Sequence, residues 1–417
     1  MITLYHFLSL FVAVLLIPLF TLTTLFSKHK WKGLVHHFGW VPKTPGKKIL
    51  WLHALSMGEV VAATPVLQRV REKNPELVIA LSVTTDSGYA TALNSGFADS
   101  VFFHPLDCLP FTQLALSRIH PDIYVVMDTG FWPGLIDLLH RKNIPALLCN
   151  GRLSERSARR YLSTGSLFKD TFQKFHRLGM QNANGEKAAL ALGMNRELVE
   201  VMGDPKYDAL QPMTDEEKER LRQSFKLEAD TPVWIAGSTH AGEEEIILDA
   251  HQQLMAKHPN LVLILAPRRM ERVEEVVSLL KKENIAFTLR SSPEPAKTVI
   301  LLDTMGELAK VYSLGQIAFV GRSLIHPGGG HSLIEPLSYG LPVMHGPFIE
   351  NIGHVADKAQ ELAYPVQNSG DIKERVQTLL ENENLRQELA KKARSFITEQ
   401  QGASEKMAQS ITKVLAI

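Results

Sequence analysis

The stretch Ile49-Leu50-Trp51-Leu52-His53-Ala54-Leu55-Ser56-Met57-Gly58-Glu59 decides the fold. Its first four residues are a short run of bulky apolar side chains, the pattern of a strand buried on both faces. Residues 60–70 follow with apolar positions at helical spacing. A strand that turns through Ser-x-Gly-Glu into a helix is the repeating unit of an α/β protein. The unit recurs: strands are expected at 77–83, 101–103, 123–127 and 146–149, with patterned helices between them. That alternation predicts a parallel sheet covered on both faces.

A polar stretch ending in Gly203-Asp204-Pro205-Lys206 closes the first half. A charged amphipathic helix is expected over 213–225, with Thr214 or Asp215 as candidate caps. Strands then restart at 233–236, 261–265, 299–302, 317–320 and 342–344, and the last 45 residues read as helices. The expected fold is α/β, with two doubly wound Rossmann-like domains over 28–210 and 211–417 facing a cleft. Ligands should bind at the carboxyl ends of the strands.

The 417 residues, 45% hydrophobic and 21% charged, suit two globular domains with an appendage. Lys and Arg number 45 against 44 Asp and Glu, which argues against a broad nucleic-acid footprint. Cys108 and Cys149 each sit among apolar residues and read as small buried thiols. No paired-Cys or His-x-x-x-His spacing suggests a metal. No G-x-G-x-x-G follows the first strand and no P-loop is present, which disfavours an NAD domain and a P-loop NTPase.

Residues 4–26 carry no Asp, Glu, Lys or Arg. As a helix they span roughly 35 Å at about 1.5 Å per residue, enough to cross a bilayer. Lys28, Lys30 and Lys32 follow, so the rest of the chain is expected on the cytoplasmic side. The features of a cleaved signal peptide are missing. Residues 1–27 therefore read as a membrane-anchor helix, single-pass or, alternatively, lying in the interface.

Glu59 falls in the first turn of its helix, at the ligand end of the sheet. A carboxylate there suits a general base for an acceptor hydroxyl; it equally complements the helix dipole. Ser56 and Gly58 precede it, and Gly58 permits a tight turn or a close backbone approach. Asp128-Thr129-Gly130-Phe131-Trp132-Pro133 and Asn150-Gly151-Arg152-Leu153-Ser154 end further strands. Phe131 and Trp132 could face an apolar acceptor or fill the core. Arg152 and Arg156 could bind an acceptor phosphate or serve as helix-start cations.

In the second half, Ser238 and Thr239 lie in Gly237-Ser238-Thr239-His240-Ala241-Gly242-Glu243-Glu244, either a phosphate-facing loop or a capped helix start. Ala266-Pro267-Arg268-Arg269 puts an arginine where it can pair bidentately with phosphate or carboxylate. Asp303-Thr304-Met305-Gly306-Glu307 could read a base edge through its backbone. Gly328-Gly329-Gly330-His331-Ser332-Leu333-Ile334-Glu335-Pro336 reads as a glycine-opened helix N-terminus. Its free N–H groups would favour an anion, with Glu335 one turn on for a sugar hydroxyl.

Taken in order, Ser-x-Gly-Glu, Trp-Pro, Asn-x-Arg-Leu-Ser, Ser-Thr-His-x-Gly-Glu-Glu, Pro-Arg, Asp-Thr-Met-Gly-Glu-Leu and Gly-Gly-His-x-x-x-Glu-Pro make the chain resemble the Kdo transferases. These add 3-deoxy-D-manno-octulosonic acid to the lipid A precursor. The resemblance runs from the N-terminal anchor to about Gly353. It implies a GT-B fold, a CMP-Kdo donor, a lipid A precursor acceptor on the inner leaflet of the cell inner membrane, and inversion without metal or cofactor. It implies Glu59 as catalytic base. It implies CMP contacts from Pro267, Arg268, Met305, Gly306, Glu307, Ser332, Leu333, Ile334 and Glu335.

Three departures from the family pattern stand out. Glu-Thr-Glu-Leu-Trp-Pro-Asn is replaced by Asp128-Thr129-Gly130-Phe131-Trp132-Pro133-Gly134, which loses the second acid, Gly-Gly-His-Asn-Pro-Leu-Glu-Pro is Gly329-Gly330-His331-Ser332-Leu333-Ile334-Glu335-Pro336, and Gly-Pro-His is Gly346-Pro347-Phe348. The rival readings are a GT-B nucleotide-sugar transferase or epimerase with a different sugar or acceptor, and a catalytically degenerate membrane-bound paralogue.

Overall fold

The computed structural model of the chain describes residues 1–25, 28–210, 213–292 and 294–416, with side chains throughout except at 16, 18–25 and 28–32. The described residues form two compact units, 1–209 with 400–417, and 210–399. Each holds one seven-stranded sheet.

The first sheet comprises β1 Ile49–His53, β2 Val78–Val83, β3 Ser100–Phe103, β4 Ile123–Met127, β5 Ala146–Gly151, β6 Arg177–Met180 and β7 Val199–Val201. Its parallel strands run in the order β3-β2-β1-β4-β5-β6-β7. The order reverses between β1 and β4, and a doubly wound sheet opens its ligand crevice at such a reversal. Successive strand side chains face opposite ways, and here both faces are covered. Leu50 and Leu52 pack with Val60, Leu67, Met407 and Ile411, while Trp51 packs with Tyr124, Leu135 and Phe172. Hence the unbroken apolar run. The one polar atom of Trp51 is satisfied, its Nε1 donating to Ser82 Oγ at 2.8 Å.

The second sheet comprises β8 Val233–Thr239, β9 Val262–Pro267, β10 Phe287–Leu289, β11 Val299–Leu301, β12 Ile317–Val320, β13 Val343–His345 and β14 Ala363–Pro365. Its order is β10-β11-β9-β8-β12-β13-β14, with the reversal between β8 and β12. The expected charged helix occupies Asp215–Ser224, closed by a capping box between Thr214 and Glu217.

The chain beyond 400 departs from the expected 211–417 domain. The helix Ala403–Leu415 packs on the helix Met57–Lys73 of the first unit. Met407, Ala408 and Ile411 are buried there. Asp208 pins its start, accepting from Gly402 N at 2.6 Å and Ser404 N at 2.7 Å. Asn74 Nδ2 donates to Thr412 Oγ1 at 3.0 Å.

The N-terminal helix runs over Ile2–Leu25. Among the described residues no helix is long and apolar enough to cross a membrane, so the transmembrane form of the anchor expected over 1–27 is not among the described elements. Phe26 and Ser27, and the side chains of Lys28, Lys30, Trp31 and Lys32, lie outside the described residues. The first turns are fastened to the first unit. Tyr5 Oη donates to Asp107 Oδ2 at 2.6 Å, and His6 Nε2 lies 3.2 Å from Asp137 Oδ2. Leu4, Phe7, Leu8, Phe11, Val12, Val14 and Leu15 are exposed. Their spacing puts them on one broad helical stripe. Cys108 and Cys149 are buried free thiols.

Candidate active site

In the first unit, Glu59 sits one turn into the helix Met57–Lys73, immediately after β1. It is only 8% exposed. Its carboxylate reaches back to the strand-end turn, where Leu55 N donates to Oε2 at 2.6 Å. Burial, and then the nearby charge of Asp128, push the Glu59 carboxyl up to about 7, against the pull of the Leu55 amide, Arg152 and Lys206. A carboxylate that shares its proton near neutral pH is suited to general-base work. Apart from its chain neighbours and its own helix backbone, nothing lies within 4 Å of where a Cβ on Gly58 would stand, so the space at Gly58 is open. Ser56 caps this helix in extended backbone, without a side-chain cap bond.

Asp128 follows β4 on the other side of the reversal, in left-handed backbone with φ 61°. It is 1% exposed. Asn150 Nδ2 donates to its Oδ1 at 2.9 Å, and an Arg152 guanidinium nitrogen lies 2.8 Å from Oδ2. Arg152 is therefore paired, while Arg156 is exposed on the helix Glu155–Leu162. Gln181 Nε2 extends the network to Asn150 Oδ1 at 3.3 Å and to Asp204 Oδ2 at 2.8 Å. Asn150 opens the Asn-x-Arg-Leu-Ser motif, but Gln181, Asp204 and Lys206 were not assigned to the site by sequence. Their only signal was position, since each falls just past a strand.

Phe131 belongs to the core, 4.7 Å between ring centroids from Phe172. Trp132 instead stacks on His104 at 5.1 Å, and His104 lies 4.0 Å from His53. Gly130 is enclosed: a Cβ there would meet Leu55 Cδ1 at 2.9 Å, and His53 Cδ2 and Val126 Cγ2 at 3.0 Å. The acid missing from this position could not be restored without moving three side chains.

In the second unit, Glu243 is the organising residue. It is fully buried. Oε2 accepts from His240 N at 2.9 Å and Arg322 N at 2.8 Å, and Oε1 from Ser323 N at 2.8 Å and Leu324 N at 2.9 Å. One carboxylate thus ties the loop after β8 to the loop after β12. Ser238 is left-handed, φ 58°, and Thr239 is buried with its hydroxyl on Glu244 at 2.8 Å. Thr239 O also accepts from Arg268 N at 3.0 Å, which brings Pro267 and Arg268 beside the β8 loop. His240 and His331 stack with Nε2 atoms 3.1 Å apart. Burial, then the charge of Arg268, holds His331 down to about 4. Met305 is 83% exposed beside Gly306, which has open space around it. Glu307 is engaged by Arg290 at 3.2 Å and by the Thr304 hydroxyl.

The glycine run differs from the expected helix opening. The helix it precedes covers only Ile334–Ser338. Gly329 N donates to Phe348 O at 3.1 Å and Gly330 N to Arg322 O at 2.7 Å, so neither amide is free for an anion. These glycines are needed for packing: a Cβ on Gly329 would meet Asn351 at 2.4 Å, and one on Gly330 would meet Ile352 at 2.3 Å. Ser332 Oγ accepts from Ile334 N at 3.3 Å, Leu333 and Ile334 are buried, and Glu335 is partly buried on the short helix.

Doubly wound sheets in tandem are the architecture of GT-B glycosyltransferases. The family model for glycosyl transferases group 1 matches residues 240–396, in the second unit. The model described as 3-deoxy-D-manno-octulosonic-acid transferase (kdotransferase) matches residues 32–209. A 3-deoxy-D-manno-octulosonic acid transferase of Haemophilus influenzae is 37% identical over 87% of this chain and 86% of its own length. A probable mitochondrial transferase of the same description from Arabidopsis thaliana is 31% identical over 84% of this chain and 83% of its own. The chain belongs to the 3-deoxy-D-manno-octulosonic acid transferase family. In fold it is also similar to a UDP-GlcNAc 2-epimerase of Neisseria meningitidis, with TM-score 0.62 and 16% identity over 88% of this chain and 99% of that one.

Proposed function

We propose that the protein transfers Kdo from CMP-Kdo to the lipid A precursor, with inversion and without a metal, and that Glu59 is the base. The acceptor hydroxyl gives its proton to Glu59 as its oxygen bonds to the anomeric carbon, and the bond from that carbon to the CMP oxygen breaks. A tertiary anomeric centre passes through an oxocarbenium-like state, so a single base on the acceptor side suffices. Arg268 balances the charge that develops on the leaving phosphate, the Met305–Glu307 turn reads the base, and Glu335 takes the ribose. The observation that carries this reading is the buried Glu59 carboxyl, raised to about 7 at the β1–β4 reversal, next in the chain to a Gly58 with open space around it.

The N-terminal helix is read as an interfacial anchor on the inner membrane, with the catalytic units on the cytoplasmic side. The exposed stripe from Leu4 to Leu15 supports this, because apolar residues on one helical face suit the boundary between headgroups and acyl chains.

The test is incorporation of Kdo, supplied as CMP-Kdo generated in situ, into a tetraacyl lipid A precursor by the wild type and by Glu59→Gln. Transfer by the wild type and its loss in the variant are expected. Full activity of a folded Glu59→Gln protein removes Glu59 as base. A divergent acceptor is the second reading, favoured by the closed packing at Gly130. Binding of CMP without transfer to this precursor would select it.

A further inference from the structure

Arg322 leaves β12 at the reversal of the second sheet, the place where a doubly wound sheet presents its ligand. Its backbone is left-handed, φ 59°. That region is unfavourable for a residue with a side chain, and such residues persist only where the surroundings fix them, commonly at ligand sites. Here the surroundings do fix it. Glu243 accepts from Arg322 N at 2.8 Å, and Gly330 N donates to Arg322 O at 2.7 Å. The peptide is clamped on both sides, and the side chain projects into solvent exposure.

Two other arginines of this unit are neutralised. Arg272 holds Glu244 at 2.7 Å and Arg290 holds Glu307 at 3.2 Å. Among the described residues no carboxylate comes within ion-pairing distance of Arg322 or of Arg268. The Arg322 charge acts on both members of the His240–His331 pair and, after burial, helps to hold them neutral. Two unneutralised cations, Arg268 and Arg322, therefore act on a half-buried imidazole pair at one strand reversal, and Arg269 adds to the field on His240. A CMP-linked sugar acid carries two anions close together, a phosphate and a carboxylate on the anomeric carbon.

We propose that Arg322 is a specificity-determining residue that binds an oxyanion of the donor, the sugar carboxylate or the phosphate, beside Arg268. The proposal rests on the donor reading of the second unit given above. An arginine at a position whose backbone favours glycine is explained by what its guanidinium binds, since a planar fork matches either oxyanion.

The test uses the full chain with Arg322→Gly, Arg322→Lys and Arg322→Gln. Glycine relieves the backbone, so that variant should melt no lower than the wild type. Two quantities are read, the affinity for CMP by calorimetry and the KM for CMP-Kdo in transfer. Arg322→Gly and Arg322→Gln should raise KM by tenfold or more, with Arg322→Lys between them and the wild type. If CMP affinity falls by the same factor, the bound group is the phosphate. If CMP affinity stays within twofold, it is the carboxylate. Unchanged KM and CMP affinity in the glycine variant, with the wild type binding CMP, overturns Arg322 alone. So does a loss that is equal in all three variants and accompanied by a lower melting temperature. A folded wild type that binds no CMP overturns the donor reading and this proposal with it.

Discussion

Arg152 meets the buried Asp128 carboxylate at 2.8 Å, and both act on Glu59 from across the strand reversal. Asp128 raises the proton affinity of Glu59, and Arg152 lowers it. A base must be unprotonated to work, so kcat/KM should fall as pH drops below about 7. Arg152→Ala removes the restraining cation and should move that acid limb upward. Asp128→Asn removes the raising charge and should move it down towards the ordinary carboxylate range. A full pH–rate profile of each variant decides, and limbs that coincide with the wild type would detach Glu59 from this network.

Glu59→Gln should lower the rate of transfer by about 10²–10⁴-fold, the usual worth of a general base. The same variant should be more stable than the wild type in alkali. A carboxyl raised from 4.5 to about 7 by folding favours the native state fully only below about 4.5, and that contribution fades as pH rises to about 7. Glutamine has no such dependence. The gain should approach about 3 kcal/mol above pH 7, at about 1.4 kcal/mol per pKa unit, and vanish near pH 4. Denaturant melts at pH 4.5 and pH 8 measure it.

Glu243→Ala should cost more than about 3 kcal/mol, because four backbone donors lose their acceptor and an orphaned buried donor costs about 1–3 kcal/mol. Glu243→Gln retains one carbonyl oxygen and should fall between. CMP affinity should drop along with the melting temperature, since the loops after β8 and β12 are no longer tied.

Gly130→Glu should destabilise by about 1–3 kcal/mol, as overpacking a closed site does. Gly130→Ala should show the same sign, since the Cβ alone is already crowded. Thermal melts of both variants test this, and an unchanged melting temperature would mean that the loop moves freely.

Much of this is legible in the sequence. β1, β4 and β12 announce themselves because parallel strands buried on both faces are continuous apolar runs. β6, β7, β10 and β14 escape notice because each is only three or four residues and is broken by Arg and Gly, Glu, Thr, or Pro, so none forms an apolar run. Glu59 was legible from its place after a strand, but the buried charge of Asp128 was not, because sequence spacing carries no information about burial. The Gly329 and Gly330 amides looked available for an anion. Their partners, Phe348 and Arg322, come from neighbouring loops that only the folded chain brings together. Ala403 to Leu415 displayed an apolar helical face without saying which domain would cover it.

That last helix decides which unit can complete its core first. Chains generally fold domain by domain as they leave the ribosome. The first unit cannot follow that rule, because Met407 and Ile411 complete the core beneath the helix that bears Glu59. Residues 210–399 are one continuous segment and can fold while synthesis proceeds. The first unit keeps an apolar groove uncovered until the region beyond 403 emerges, so the core under the Glu59 helix is completed only late in the chain's synthesis.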